Sequence, residues 1–321
     1  MKNYFKHYIH QCFYHSYLWT IPLSYYKSLQ NETHTVEFIS QREKTLTIDE
    51  SPIKFNVKQT GFYIINYPVS EWKNWIDFLN NGSKFHTIKP SDRSNLLSDA
   101  FYLARAGRLS YEIPLNLSQY LKKEEHYIPW RTAQTMFNQM KKLTYNHLKY
   151  AYNDYIENLV GDLYNKVGWD DTNDDDDLHK QLRIILIDLA CGAGIKDCLD
   201  NAKHLFNEYK TGTNPNGIPP NLRALVFHYA IYASEDVGDI EFLWKEHNKT
   251  GSTAEKMQIL QGIASTRIES QIKKLLNTSF DEKVIRSQDF FAVLSYVASN
   301  PAGLPILWKF YQENYEKIVQ K

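Results

Sequence analysis

Apolar residues change their spacing near residue 70. From about residue 17 to 68 the period is two: in "IKFNV" Ile53, Phe55 and Val57 alternate with Lys54 and Asn56. "KTLTI", "TVEFI" and "GFYIINY" are β-branched or aromatic runs bounded by turn residues in "NET", "DESP" and "QTG". This pattern predicts a small antiparallel β unit. From Glu71 onward, amphipathic stretches of helical spacing succeed one another, broken by "NNGS", "EEHYIPW", "GWDDTNDDDD", "TGTNPNGIPP", "NKTGS" and "NPAG". The second part reads as all-helical, and its many short helices suit a solenoid of stacked pairs better than a closed bundle. The fold class is therefore α+β, mainly α, with a β domain over residues 1–70 and a helical domain over 71–321.

The stretch "PSDRSNLLSDAFYLARAG", residues 90–107, shows the helical logic. Ser91 is a candidate N-cap, Asp92 sits where the positive end of the helix dipole favours an anion, and Gly107 can close the helix in the left-handed conformation. Leu96, Leu97, Ala100, Phe101, Leu103 and Ala104 form the packing side, which leaves Asn95, Ser98, Asp99 and Arg105 mostly to water. Trp130 and Trp308 read as core anchors between helices.

Composition adds mainly exclusions. With 321 residues, 43% hydrophobic and 14% aromatic, the chain can bury a core and is not disordered. Lys and Arg number 37 and so do Asp and Glu, so no net field points to nucleic acid or an anionic membrane. No apolar run is long enough to span a bilayer, and the aromatic, His-rich start does not resemble a signal peptide. The acidic run around Asp174 to Asp177 lacks the alternating ligands, central Gly and closing Glu of a calcium loop and reads as a solvated helix start. His7, His10, Cys12 and His15 are the densest cluster of soft ligands, but their spacing fits no familiar zinc pattern.

Cys191 and Cys198 flank "GAGIKD", where a turn between antiparallel helices could bring the sulfurs within bridging distance; two free thiols are the alternative. Asn-x-Ser/Thr sequons begin at Asn31, Asn81, Asn116, Asn248 and Asn277. Together these features tilt toward an oxidising, secretory setting.

Seven segments in order resemble the C-terminal half of the aminopeptidase N family of zinc aminopeptidases, which includes the endoplasmic-reticulum aminopeptidases. They are "YLWTIPLSYY", "IKFNVKQTGFYIINY", "SDRSNLLSDAFYLARAG", "YLKKEEHYIPW", "LACGAGIKDC", "NPNGIPPNLRALVF" and "NPAGLPILWKFYQENYEKIV". The resemblance implies an incomplete β-sandwich and, after it, a HEAT-like helical bowl that covers a peptide-trimming site. The family's zinc and substrate-amine motifs, H-E-x-x-H and G-x-M-E-N, belong to an upstream catalytic domain and do not occur in this sequence. No cofactor is thus expected in this chain, which is expected to be inactive alone; zinc would belong to the catalytic domain of a parent protein.

The resemblance carries further expectations. Cys191 and Cys198 match a family disulfide, whereas a second bridge would need cysteines near His228 and Ser265, and neither is there. Ile64 stands where many members carry Arg. Lys142 and Arg267 fall near basic groups that meet the carboxyl side of a peptide, the alternative being solvated or dipole-capping side chains at helix ends. Peptides and the missing catalytic domain are the expected partners, and a secretory, extracellular or plasma-membrane-associated location through the parent is expected. No strand is expected before Tyr17, nor further helices after the last segment, which would make the chain a fragment with an open sheet edge and an uncapped helical end. A stand-alone helical-repeat scaffold that binds peptides or proteins without catalysis is the second reading.

Overall fold

A computed structural model describes residues 3–6, 18–29, 33–48, 51–82, 84–144, 147–172, 175–214 and 217–321. The described chain is α+β and mainly α. It divides into two compact units, residues 1–185 and 186–321.

The first unit opens with two antiparallel two-stranded sheets. Strand β2 (Ile21–Ser28) pairs with β3 (Thr33–Ile39), and β1 (Asn3–Lys6) pairs with β4 (Thr45–Ile48) in the register Asn3 to Ile48. The "TVEFI" and "KTLTI" runs are thus strands as their alternation predicts. A strand before Tyr17 corrects the expectation that none exists. Four residues carry too little alternation to register, and the partner lies some forty residues away in the chain. "IKFNV" and "GFYIINY" are corrected too. Neither forms a strand; Phe55 makes one isolated bridge to Tyr25, and the backbone at Asn56, Lys58 and Gln59 turns through positive φ.

Helices α1 (Val69–Asn80), α2 (Pro90–Arg105), α3 (Glu112–Leu117), α4 (Tyr127–Thr144) and α5 (Lys149–Val167) complete this unit, and α6 (Asp177–Ala193) runs across its boundary. Helix α2 is its centre. It starts at Pro90, whose missing N–H suits a first helical position, and Lys89 precedes it without a side-chain cap, so Ser91 is not the N-cap. Gly107 closes the helix at φ 68° as expected, with the Arg108 amide donating to the Leu103 carbonyl. The wet face assigned to α2 needs correction. Arg105 is exposed, but Asn95 and Asp99 are buried, because the 53–65 segment lies along that side. On another side Arg93 makes a buried two-pronged pair with Glu124, Nε to Oε2 at 2.6 Å and Nη2 to Oε1 at 2.8 Å. Trp130 is fully buried, as predicted, and its indole donates to the Glu124 carbonyl.

The second unit carries α7 (Lys196–Thr211), α8 (Arg223–Ala233), α9 (Val237–Lys249), α10 (Thr253–Ala264), α11 (Glu269–Thr278), α12 (Phe290–Ser299), α13 (Gly303–Glu313) and α14 (Tyr315–Val319). Each packs on near neighbours in the chain: α7 on α8, α8 and α9 on α10, α10 on α12, and α11 on α13. Local helix pairs are what short polar turns between amphipathic segments produce. The α8–α10 approach is close. A Cβ at Gly262 would lie 2.7 Å from the Phe227 Cβ, so only glycine fits there. Phe206, Phe227 and Phe242 fill one aromatic seam, and Phe280 with Phe290 and Phe310 fills another. Trp308 is not the core anchor that its sequence context predicts. It is 60% exposed and stacks on Tyr311, because α13 turns Phe310 inward and has no helix over its other face among the described residues.

Cys191, at the end of α6, and Cys198, in the first turn of α7, form a disulfide with Cα atoms 5.1 Å apart. The acidic stretch before α6 is pinned more than a solvated loop would be. Buried Arg183 pairs with Asp171 and with Asp175, the latter at 2.6 Å. The Thr172 amide, and after it the Arg183 guanidinium, hold the Asp175 carboxyl at about 2. Asp174 lies outside the described residues. None of the helices is long and apolar enough to cross a membrane among the described residues.

Candidate functional site

The densest buried polar cluster lies between α2 and the 53–65 segment. Lys54, 0% exposed, donates from Nζ to Asn95 Oδ1 at 2.7 Å and to the carbonyls of Phe55 and Asn56, with Asp92 Oδ1 at 3.5 Å. Asp92 accepts from Tyr26 Oη at 2.9 Å and from the Lys58 amide at 2.6 Å. Asp99 accepts from the Ile65 amide at 3.0 Å, and Glu71 from the Ile53 amide at 2.6 Å. Burial raises the Asp99 carboxyl to about 6, against the pull of the Ile65 amide and Lys54, and burial also lowers the Lys54 ammonium. Such perturbed groups often mark reaction centres. Here Lys54, Asp92, Asn95 and Asp99 are closed to solvent, so no substrate atom can reach them, and their work is to fix an irregular backbone segment against α2. Asp92, Asn95 and Asp99 recur in the sequence at helical spacing as one polar stripe, but the letters do not tell that Lys54 lies against it in place of water.

Arg267 has the geometry of a presented group. It sits in the turn between α10 and α11, whose backbone is clamped from below. Buried Asn300, at the end of α12, donates from Nδ2 to the Ala264 carbonyl at 2.9 Å and to the Thr266 carbonyl at 2.7 Å. Ser265 Oγ shares its one proton between the His228 carbonyl at 2.8 Å and the Gly262 carbonyl of its own helix at 2.5 Å, and Thr266 Oγ1 accepts from the Ile268 amide. The guanidinium is half exposed, 5.7 Å from the centre of the Tyr232 ring and 3.3 Å from Glu235 Oε1. A planar fork held this way, with a single exposed carboxylate beside it, is suited to binding a carboxylate from solution. Asn300 opens the "NPAG" segment, and its clamping role is not legible in the sequence, although Asn before Pro is a turn signal.

Lys142 lies in the last turn of α4, exposed beside the 68% exposed Leu143. It belongs to the first unit and Arg267 to the second. The positions where a second bridge is missing, His228 and Ser265, are joined instead by the Ser265 hydrogen bond. Ile64 is 53% exposed on an irregular segment, so it does not occupy a buried strand position.

No set of His, Cys, Asp and Glu among the described residues is arranged to hold a metal ion. The zinc that the resemblance implies therefore has no fitting ligands there; His7, His10, Cys12 and His15 lie outside the described residues. Of the sequons, Asn81, Asn116, Asn248 and Asn277 are exposed, and Asn31 lies outside the described residues.

Residues 52–321 match the ERAP1-like C-terminal domain. The chain is 34% identical to glutamyl aminopeptidase of Sus scrofa over 320 residues, covering 95% of this chain and 32% of that protein. It is 32% identical to the thyrotropin-releasing hormone-degrading ectoenzyme of Rattus norvegicus, covering 94% and 29%, and 31% identical to endoplasmic reticulum aminopeptidase 1 of Mus musculus, covering 95% and 33%. The chain spans about a third of the length of these relatives. With the family match running through both structural units, the chain belongs to the ERAP1-like C-terminal domain family, the C-terminal domain of aminopeptidase relatives.

Proposed function

We propose that this chain acts as the non-catalytic C-terminal region of a zinc aminopeptidase that releases N-terminal residues from peptides. In this reading a β-sandwich domain ends near residue 70, and the HEAT-like helical domain after it shapes the substrate chamber and meets the carboxyl side of the peptide. The chain supplies position, and bond cleavage belongs to a catalytic domain that holds the zinc. Names of the relatives as an ectoenzyme and an endoplasmic-reticulum enzyme support a secretory or extracellular setting.

The observation that carries the proposal is Arg267, a half-exposed guanidinium on a turn locked by Asn300 and Ser265. Lys142 is the second proposed contact. The test is a calorimetric titration with a peptide carrying a free C-terminal carboxylate and with its C-terminal amide. Arg267→Ala should weaken binding of the free acid by about tenfold and leave the amide unchanged, as loss of one charge-assisted pair predicts. Equal effects on both peptides, or none, overturn the carboxylate role. Binding of both peptides without discrimination, in a chain that also fails to stimulate any zinc peptidase domain, would favour the stand-alone scaffold.

A further inference from the structure

We infer that the folded chain keeps Asn248 open to N-glycosylation and seals Asn116 and Asn277, so that these two accept a glycan only before their segments fold. The inference rests on the secretory setting proposed above. In the transfer, the asparagine Nδ2 bonds to the anomeric carbon of a lipid-pyrophosphate-linked oligosaccharide. The sugar C1–O bond breaks, its electron pair leaves with the lipid pyrophosphate, and the amide gives one proton to a carboxylate of the transferring enzyme. That enzyme also reads the hydroxyl two residues on, so an acceptor segment must expose both groups in non-helical backbone.

Asn248 and Asn277 make a controlled pair, since each is the penultimate residue of its helix, α9 or α11, and each is exposed. The residues on their C-terminal sides differ. After Asn248 the chain leaves the helix at Thr250 in extended backbone, and Gly251, Ser252, Thr253 and Ala254 are exposed. Thr250 itself is part-exposed, and its Oγ1 donates to Glu255 Oε2 at 2.6 Å and accepts from the Ser252 amide at 3.1 Å, bonds made within this short exposed loop and the first turn of α10. A last turn that runs into an exposed loop frays at little cost. After Asn277, Ser279 is 1% exposed, its Oγ donates to the Leu276 carbonyl at 2.7 Å, and the next residue, Phe280, is held between Phe290 and Phe310. Freeing that hydroxyl means exposing buried Ser279 and pulling half-buried Phe280 off the Phe290 and Phe310 rings. Asn116 is more tightly closed. Its Ser118 is fully buried, donates to the Pro114 carbonyl at 2.8 Å and pairs with Tyr155 Oη, next to fully buried Leu117.

The test uses the full chain made without glycans in an oxidising bacterial compartment. The folded chain is incubated with purified oligosaccharyltransferase and a lipid-pyrophosphate-linked oligosaccharide, beside chain that has been reduced, alkylated and kept unfolded. Occupancy at each asparagine is read by mass spectrometry. Asn248 should be modified in both samples, whereas Asn116 and Asn277 should be modified in the unfolded chain and about tenfold less in the folded one. Equal modification of Asn116 or Asn277 in the two samples overturns the inference, as does an Asn248 that reacts only when unfolded. A chain recovered from its own cells with no glycan at any sequon would instead remove the secretory setting, and the purified reaction would still decide the accessibility of each site.

Discussion

Asp99 shows how one side chain can be visible in a sequence and still be assigned the wrong surroundings. Its place on the polar stripe of α2 is plain, but its partner segment lies more than thirty residues away and adopts backbone that no periodicity foretells. A wet stripe and a stripe buried against irregular polar backbone read alike in the letters. Burial raises its carboxyl from 3.8 to about 6 in the folded chain. The native state therefore holds this proton more tightly than the unfolded state. The stability it contributes is complete below about pH 4 and is lost as pH rises through about 6. Between pH 4 and 7.5 the wild type should lose about 2 kcal/mol more than Asp99→Asn, measured by urea unfolding at each pH. Parallel curves would show that the carboxyl is not held as described. Two tryptophans, read alike from the sequence, separate in the same way. Trp130→Ala should cost about 3–5 kcal/mol, while the exposed Trp308→Ser should stay within about 0.5 kcal/mol in the same assay.

Among elements, helices were legible and strands only in part. Helical segments declare themselves over ten or more residues with caps and breakers, and Gly107 ends α2 where its lack of a side chain allows. "TVEFI" and "KTLTI" became strands because each has a local antiparallel partner or enough alternation to seek one. "IKFNV" has the same alternation but is captured by α2, where Lys54 finds an oxygen-lined slot and Ile53, Phe55 and Val57 still point into the core. Tertiary capture of this kind overrides strand propensity. The joint between α6 and α7 was legible as an option, two sulfurs across a short turn, and the structure joins them. Replacing Cys191 and Cys198 by serine should lower the unfolding free energy by about 2–3 kcal/mol in the chain-entropy model, with the slope of the denaturant curve changing as the unfolded ensemble expands. An unchanged midpoint would mean the bridge restrains nothing that folding needs.

At the scale of the whole chain, charge balance and composition excluded partners more than they named any, and the family came from ordered landmarks instead of bulk numbers. The candidate contact at Arg267 was legible only through that resemblance, since a lone Arg between helices carries no chemistry in its spacing. What the sequence did not convey was the clamp beneath it, because Asn300 acts through two carbonyls more than thirty residues away in the chain. Large apolar side chains also remain open: Phe38 and Phe62 in the first unit, Leu304, Trp308 and Val319 in the second.

The junction of α8 with α10 is tied by the Ser265 hydroxyl on the His228 carbonyl, where relatives of this kind are expected to carry a covalent link. A proton bridge is indifferent to glutathione and needs no oxidant or isomerase to form. The α8–α10 joint can therefore reassemble after every opening event, and reducing conditions would leave it intact while severing the one sulfur bond between α6 and α7.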